Sequence, residues 1–391
     1  MRFSQPASAR VINKLRVLNL IARSEETSRA DVARDLGLNK VSTSEIVDQL
    51  VAEGLVAELG KRQTSVGRRP TDLALQKDAK AVISVDIGMR NTSITMVNLA
   101  GDPLRFERFP TPKHPSPEEM CATIIRTANK ILSRMKDPSI VSGMAVSING
   151  IVEPATGTVL SLADWGWDNV PLAVALGRHL PFAVIVDNNV KCMVQGEKWF
   201  GHLPVDKSLF YVNWGEHIGA AWVMEGKVVS NDCQFGHLPV AKTGLCHCGA
   251  IGCLETVASG WALVEEALMF SKECDLTVKQ LCTHCDTDPN ADALLRRACE
   301  AMANAIISAA AILRPDHILI GGGISGLPEK YFNLLKDTYA QRAPLRISMV
   351  SQLDKATLGE RAGAMGTAAV ALDEFVYKRT LLDQLRRHQG T

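Results

Sequence analysis

The sequence predicts an N-terminal winged helix-turn-helix, mainly α-helical, followed by a two-lobed α/β body. Two short amphipathic segments that meet at a glycine, with a basic β-hairpin behind them, predict the head. Two later stretches share a layout of strand, glycine turn and strand, which predicts two related lobes. The length of 391 residues agrees, because it exceeds one ordinary core and favours two or three domains.

Composition bounds the class of protein. Hydrophobic residues make up 46% of the chain, which suits a soluble globular protein. The first residues, MRFSQPASAR, lack an apolar signal core, and no run approaches the roughly 18 apolar residues of a bilayer-spanning helix. We therefore expect a cytoplasmic protein whose ten cysteines stay reduced, so metal binding is favoured over disulfides.

The net charge of +1 is unevenly distributed along the chain. Residues 1–80 carry 14 Lys and Arg against 10 Asp and Glu, whereas the remaining residues carry 29 against 32. A basic head on an acidic body points to nucleic acid, with an ordinary solvated surface as the alternative.

Helices are predicted at three places in the head, residues 1–78. The first helix has apolar residues at helical spacing, at Val11, Leu15, Leu18 and Ala22. In the second, Ser28 and Asp31 form a capping-box pair and Gly37 ends the helix. Asn39 caps the third helix, whose predicted core face comprises Ile46, Val47, Leu50 and Val51.

The third helix and the hairpin carry the candidate DNA contacts. The exposed N-terminal end of the helix is predicted to present side chains to base edges, at Lys40, Ser42, Thr43 and Ser44. The loop GKRQTSVGRRP is predicted to form a wing whose cations meet phosphates or a minor groove, at Lys61, Arg62, Arg68 and Arg69. Double-stranded operator DNA, bound in the nucleoid, is thus the expected partner, with a small helical dimerisation domain as the alternative.

The body contains an internal repeat. The segments AVISVDIGMRNTSITMV and SLFYVNWGEHIGAAWVM share one layout and lie about 127 residues apart. We predict a first α/β lobe over 79–195 and a second over 196–371, with a cleft between them. A final helix over about 372–391 is expected to pack back on the first lobe, with mere surface packing as the alternative; its apolar residues are Leu372, Phe375, Leu382 and Leu385.

Three cysteines and a histidine crowd the segment GHLPVAKTGLCHCGAIGCLE. They supply the four N and S ligands expected for tetrahedral Zn²⁺, namely His237, Cys246, Cys248 and Cys253. Gly249 and Gly252 permit the turns that bring Cys253 round, and a closed set of protein ligands predicts a structural ion. Reduced core cysteines and a redox pair are the alternatives. Cys282 and Cys285 have redox spacing, but no partner pair accompanies them, so ordinary helix or loop sequence is expected there.

The body resembles the ROK family (repressors, open reading frames and kinases), a branch of the sugar kinase, actin and heat-shock ATPase superfamily with ribonuclease H-like lobes. The resemblance covers nearly all of the chain after about residue 80 and is carried by GHLPVAKTGLCHCGAIGCLETVAS, WDNVPLAVAL and GGGIS. With the winged head in front, the whole chain resembles the repressor branch, which includes the xylose and N-acetylglucosamine repressors. The resemblance implies the same four zinc ligands.

A sugar site in the cleft is also implied by the resemblance. The predicted sugar-binding residues are Asn149, Gly150, Asp164, Asn188, Asn189, Gln234, His237 and Glu255. Gln234 stands where the family has glutamate and Asp164 where it has asparagine, so the identity of the sugar stays open. Asn149 and Gly150 belong to SINGIVEP, for which an ordinary Asn-Gly turn is the alternative.

The proton-transfer residue of family kinases is absent from its position. In those kinases an aspartate eight residues before a glutamate takes the proton of the attacked hydroxyl, and counting back from Glu197 reaches Asn189. An amide cannot accept that proton. Asp187 is near but two residues out of register.

The phosphate turns of family kinases are altered as well. Met89 and Arg90 stand where glycine and threonine are expected, and Glu216 and His217 replace threonine and glycine in the second turn. A carboxylate in that turn repels an anion. Asp86, which in kinases helps to hold the metal–nucleotide complex, is expected to have a structural role only.

These observations predict a sugar-responsive, DNA-binding transcriptional regulator that binds a sugar or derivative without phosphorylating it. Among such regulators, they favour a repressor. We expect a homodimer, or a tetramer, on a palindromic operator. An ATP-dependent sugar kinase fused to a DNA-binding head is the enzymatic alternative. A protein sequestered by a membrane transporter is the third class.

Overall fold

The computed structural model describes residues 6–24, 26–61, 71–201, 207–224, 227–229, 233–271, 276–348 and 351–378. Within these ranges, no helix is both long and apolar enough to cross a membrane. Several residues named above lie outside the described residues: Arg62, Arg68, Arg69, Leu382 and Leu385.

The described part of the head combines three helices with a small antiparallel sheet in the order β1-β3-β2. Its elements are α1 (Pro6–Arg23), β1 (Thr27–Ser28), α2 (Arg29–Leu36), α3 (Lys40–Ala52), β2 (Val56–Lys61) and β3 (Thr71–Leu75). The predicted caps are confirmed, since Ser28 and Asp31 form a capping box on α2 and the Asn39 side chain accepts a hydrogen bond at the start of α3. Gly37, at φ = 62°, ends α2 as predicted.

The buried faces of α1 and α3 differ from the predicted ones. α1 buries Lys14, Val17, Leu18 and Ile21, and α3 buries Thr43, Ile46, Val47 and Leu50. Val51 is 37% exposed, because it lies at the edge of the face that buries Thr43 with the other three residues. Lys14 is tolerated in α1 because its ammonium lies 2.5 Å from Glu53 Oε1.

The first lobe is built on a five-stranded sheet in the order β11-β7-β4-β5-β6, with a separate small sheet β10-β9-β8. β4, β5 and β6 are antiparallel neighbours, whereas β7 and β11 run parallel to β4. Its elements are β4 (Ala81–Ile87), β5 (Asn91–Asn98), β6 (Pro103–Pro110), α4 (Pro117–Leu132), β7 (Val141–Ile148), β8 (Ile151–Glu153), β9 (Thr158–Leu162), β10 (Trp167–Val170), α5 (Leu172–Gly177), β11 (Val184–Asn188) and α6 (Asn189–Phe200).

The second lobe repeats this sheet in the order β14-β13-β12-β15-β16. Its elements are β12 (Leu209–Trp214), β13 (Ile218–Met224), β14 (Lys227–Val228), α7 (Glu255–Ala258), α8 (Gly260–Ala267), α9 (Val278–His284), α10 (Pro289–Leu313), β15 (His317–Gly321), α11 (Glu329–Arg342), α12 (Leu345–Ser348) and β16 (Gln352–Lys355). The hairpins β4–β5 and β12–β13 occupy the same place in the two sheets, which confirms the predicted repeat. Their turns, residues 88–90 and 215–217, are therefore equivalent.

After β16 the chain returns to the first lobe. α13 (Ala362–Leu372) packs on β4, β7 and α6, and Leu372 and Phe375 are buried in this region. A Cβ on Gly366 would lie 2.2 Å from the Cys192 carbonyl oxygen, so glycine allows α13 to approach α6 closely. The returning segment therefore begins near residue 362 rather than at 372, the predicted start.

One hydrophobic cluster joins the head to the first lobe. Its members come from α1, α3, the first sheet and the returning segment, and include Val17, Ile46, Val82, Val97 and Leu372. Because these side chains form one contiguous cluster, the head is packed on the first lobe rather than tethered beside it.

Candidate functional site

The predicted metal ligands come together between β14 and α7. His237 ends a 3₁₀ turn, and the three cysteines follow in a loop closed by two isolated β-bridges. Gly252 is required in this loop, because it has φ = 78° and a Cβ would lie 1.9 Å from the Ala241 carbonyl oxygen.

The four side chains converge on one point. One donor atom from each of His237, Cys246, Cys248 and Cys253 lies within 4.8 Å of the others. Cys246 Sγ is 3.5 Å from His237 Nδ1, and Cys248 Sγ is 3.7 Å from Cys253 Sγ. One imidazole nitrogen and three sulfurs form a donor set that could hold a metal ion.

Cys282 and Cys285 have no comparable setting. Cys282 lies within α9 and Cys285 directly follows it, and both are free thiols packed against the core of the second lobe. The prediction of ordinary helix sequence at this pair is confirmed.

A cavity of about 340 Å³ opens between the lobes beside the metal cluster. The first lobe contributes the turn after β7 and the start of α6. The second contributes β13, the turn before it and the metal loop, which we define as residues 237–253. Of the predicted sugar-binding residues, the cavity is lined by Asn149, Gly150, Asp164, Asn188, Gln234, His237 and Glu255. Residues from distant parts of the sequence thus meet as predicted.

Asn189 is the exception, and its predicted place in the pocket is corrected. It is the first residue of α6 and is not among the lining residues in the described part of the chain. Its Oδ1 is buried without a hydrogen-bond partner among the described residues. The neighbouring Asn188 is the N-cap of α6, and its Nδ2 donates to the Gly150 carbonyl at 2.9 Å. Both the Nδ2 and the Oδ1 of Asn188 are thus engaged by the protein backbone, which fixes this part of the cavity wall.

His217 lines the cavity, although the sequence analysis noted it only as the residue that replaces a glycine of family kinases. Its Nε2 is 3.4 Å from Asp164 Oδ2 of the first lobe, and its Nδ1 is 3.4 Å from Glu255 Oε1 of the second. Burial alone would lower the pKa of His217, but the Glu255 hydrogen bond and the charges of Asp164 and Glu216 raise it above 6.5. A titratable side chain in place of glycine was the signal that could have pointed to this residue.

Glu255 is held from several directions. Its Oε1 accepts a hydrogen bond from the Ile218 N–H at 2.8 Å, and its Oε2 lies 3.4 Å from Trp261 Nε1. Burial would raise the pKa of this carboxyl, but the His217 hydrogen bond and charge bring it below 4.5. Glu255 is therefore a fixed, charged acceptor on the cavity wall.

The carboxylate of Asp164 contacts a second histidine, which belongs to the metal loop. His247 Nδ1 lies 3.3 Å from Asp164 Oδ1, and the His247 ring stacks on Trp261 at 4.2 Å between centroids. His247 is half exposed and faces Asp164 across the cleft. Asp164 thus links the first lobe to the metal loop.

Lys191 adds a buried cation that the sequence pattern did not single out. Its side chain is 7% exposed, lines the cavity, and places Nζ 3.1 Å from Asp187 Oδ1. Asp187 also accepts a hydrogen bond from the Asn188 N–H at 2.8 Å. Asp187 is therefore engaged in an ion pair within its own lobe.

The two altered phosphate turns meet across the cleft. Arg90 Nη2 of the first turn lies 2.9 Å from Glu216 Oε2 of the second. Asp86 is half-buried, accepts a hydrogen bond from Ser147 Oγ at 2.9 Å and abuts Gly363 at the start of α13. Burial raises the pKa of Asp86.

The candidate DNA contacts on α3 are only partly exposed. Lys40 and Ser42 are exposed, and Ser44 is half-buried with its Oγ 2.9 Å from Arg29 Nη1. Thr43 is a correction: it is 1% exposed and its hydroxyl donates to the Asn39 carbonyl, so it cannot reach a base. Lys61 ends β2.

Comparison with known protein sequences adds three findings. The model of the family described as ROK family matches residues 82–374. The chain is 26% identical over 385 residues to the xylose repressor of Caldicellulosiruptor bescii, covering 93% of this chain and 96% of that protein. It is 27% identical over 305 residues to the glucokinase of Halalkalibacterium halodurans, covering 73% of this chain and 92% of that protein.

A solved structure is similar over nearly the whole chain. It is the crystal structure of a ROK family transcriptional regulator described as a homolog of the Escherichia coli MLC protein. The TM-score is 0.80 at 21% sequence identity, with 97% of this chain and 99% of that chain covered. At this identity the likeness concerns the fold, and it includes the head as well as both lobes.

Proposed function

The chain belongs to the ROK family, and on that premise we propose that it is a sugar-responsive transcriptional repressor. The observation that carries the proposal is the cavity between the lobes, which gathers seven of the eight predicted sugar ligands. The eighth, Asn189, stands in the sequence eight residues before Glu197, where family kinases have the aspartate base. The full-length match to a protein named xylose repressor supports the same function.

The cavity is suited to a sugar or sugar derivative. It offers fixed acceptors at Asp164 and Glu255 and a donor at Lys191, and such groups are needed because every unpaired sugar hydroxyl costs binding free energy. Gln234 can donate as well as accept, which widens the hydroxyl patterns that fit.

We propose that the chain does not phosphorylate its ligand. An amide at 189 cannot serve as the general base, and Asp187, the nearest carboxylate in sequence, is paired with Lys191. In the turns that meet phosphate in family kinases, Arg90 and Glu216 neutralise each other. The glucokinase among the relatives keeps a kinase as the second candidate.

The head is proposed to be a winged helix-turn-helix that reads an operator. α2 and α3 are joined at Gly37, and α3 presents Lys40 and Ser42 to solvent at its N-terminal end. A homodimer would place two such helices in successive major grooves. Ligand binding in the cleft would change operator affinity by the difference in ligand affinity between the two lobe arrangements.

We propose that the metal ion is zinc and that its role is structural. The donor set of His237, Cys246, Cys248 and Cys253 fits a closed tetrahedral site, and zinc there would fix the loop that carries His237 and His247 to the cavity. Cys253→Ser should abolish bound zinc measured by mass spectrometry and lower Tm by about 5–10 °C. Cys233→Ser, a cavity cysteine outside the donor set, should retain zinc. Full zinc in the Cys253 variant would contradict the assignment.

The function is tested by ligand screening. Thermal shift with monosaccharides, their phosphates and their N-acetyl forms should find a ligand that raises Tm, since binding to the native state stabilises it by RT ln(1 + [L]/Kd). With that ligand and ATP, the wild type and Asn189→Asp are both assayed for phosphorylated sugar. We expect none from the wild type, and turnover by the wild type would favour the kinase.

A further inference from the structure

The turn at residues 215–217 reaches the first lobe through two consecutive side chains. Glu216 Oε2 lies 2.9 Å from Arg90 Nη2, and His217 Nε2 lies 3.4 Å from Asp164 Oδ2. The first contact joins equivalent turns of the two lobes, since residues 88–90 follow β4 as residues 215–217 follow β12.

The two contacts differ in their position relative to the cavity. His217 and Asp164 line it, whereas Arg90 and Glu216 are not among its lining residues in the described part of the chain. A ligand in the cavity therefore lies against one contact and beside the other. An effect of the Arg90–Glu216 pair on ligand affinity is therefore indirect, through the arrangement of the lobes or through the charge of Glu216 beside His217.

We propose that the turn at 215–217 is an interlobe clasp, in which Glu216 and His217 hold the first lobe against the second and thereby set the affinity of the cavity for its ligand. Glu216 and Arg90 are positioning residues. The nature of the ligand rests on the proposed function, but the clasp itself rests on the two contacts across the cleft.

Charge exchange isolates the clasp from other effects of mutation. Arg90→Glu and Glu216→Arg each put like charges across the cleft, while the double variant restores an ion pair with its polarity reversed. The matched control is Lys130→Glu, which breaks the Lys130–Glu107 pair. That pair has the same 2.9 Å separation and a similar exposure (48% and 27%, against 47% and 30% for Arg90 and Glu216), but it lies within the first lobe.

Hydrogen exchange of the ligand-free chain gives the first readout. Each single variant should exchange faster at the turns 88–90 and 215–217, whereas the double variant and the control should match the wild type. Calorimetry with D-xylose and D-glucose gives the second. For the sugar that binds, we expect each single variant to bind about two- to five-fold more weakly, with recovery in the double variant.

Two outcomes overturn the clasp: single variants that exchange like the wild type, or a double variant as impaired as the worse single one. If the wild type binds a sugar and the exchange series is flat, the clasp fails and the proposed function stands. If neither sugar binds the wild type but the exchange series shows recovery, the clasp stands and sugar recognition is in question.

Discussion

At the scale of single residues, His217 differs most in role from what its sequence context indicated. Its two ring nitrogens face carboxylates of opposite lobes, Asp164 and Glu255, and both can donate only when the imidazole is protonated. Glu216 and the His247 ring, 6.3 Å away, complete its charged and titratable surroundings. The charged form therefore favours the lobe arrangement seen here.

This geometry predicts a pH-dependent contribution to stability. The pKa of His217 is raised above 6.5, so its contribution is fully present below about 6.5 and is lost as the pH rises through the folded-state value. The stability advantage of the wild type over His217→Gln should therefore shrink as the pH is raised above 6.5. Denaturant titrations of both proteins at several pH values measure it, and the shared pH dependence of the metal loop cancels in the difference. A gap that widens with pH would contradict the assignment.

The sequence predicted those residue roles that depend on neighbouring residues in the chain, and it missed those that depend on distant ones. The caps at Ser28 and Asn39 and the metal ligands depend on short stretches, so their spacing was informative. The contact between His217 and Asp164 joins residues from different lobes, which no local pattern encodes. Lys14 was missed in the core because its partner, Glu53, lies two helices away.

At the scale of elements, the metal loop depends on glycines in two different ways. Gly249 and Gly252 both have positive φ, at 85° and 78°. At Gly249 no described atom lies within 4 Å of a built Cβ, whereas at Gly252 the Ala241 carbonyl stands in the way. The first glycine relieves backbone strain, and the second also makes room for the neighbouring strand of the loop.

The two glycines give a matched pair of variants. Gly249→Ala should cost about 1 kcal/mol of strain and retain the metal. Gly252→Ala should displace the backbone that carries Cys253, so the variant should bind less than half of the wild-type metal and lose more stability. Metal stoichiometry and Tm distinguish them, and equal behaviour of the two variants would contradict the proposed packing.

α3 gives a prediction about operator contacts. Lys40→Ala should weaken operator binding and reduce the preference for operator over unrelated DNA, because its predicted contact to a base edge is lost. Thr43→Val should keep operator affinity, because the side chain at position 43 is buried. The backbone N–H of residue 43 still donates to the Asn39 carbonyl in the variant. Fluorescence anisotropy over a salt series measures both, with Lys113→Ala on the first lobe as the control. Loss of sequence discrimination in Thr43→Val would return that residue to the interface.

The repeat of strand, turn and strand was strong enough to predict two lobes, because both copies keep the same hairpin at the centre of the sheet. The start of the returning segment was not predicted. α13 is rich in alanine and glycine, and its buried faces on α6 and the first sheet leave little periodic contrast between core and surface.

At the scale of the whole molecule, the described contacts form a continuous path from cavity to head. Lys191 of α6 lines the cavity, α13 packs between α6 and the first sheet, and one apolar cluster continues from there into α1 and α3. A change in the lobe arrangement can therefore alter the setting of the head. The coupling between cavity and head is a free energy, and a binding measurement determines it.

The most direct measurement is the operator affinity of the purified wild-type chain, followed by anisotropy at fixed salt with and without the sugar found by thermal shift, in the absence of nucleotide. We expect the sugar to change operator affinity by at least about five-fold, the lower end of ordinary allosteric coupling. Unchanged operator affinity at saturating sugar, together with ATP-dependent formation of a phosphorylated sugar, would contradict a repressor that senses sugar without acting on it.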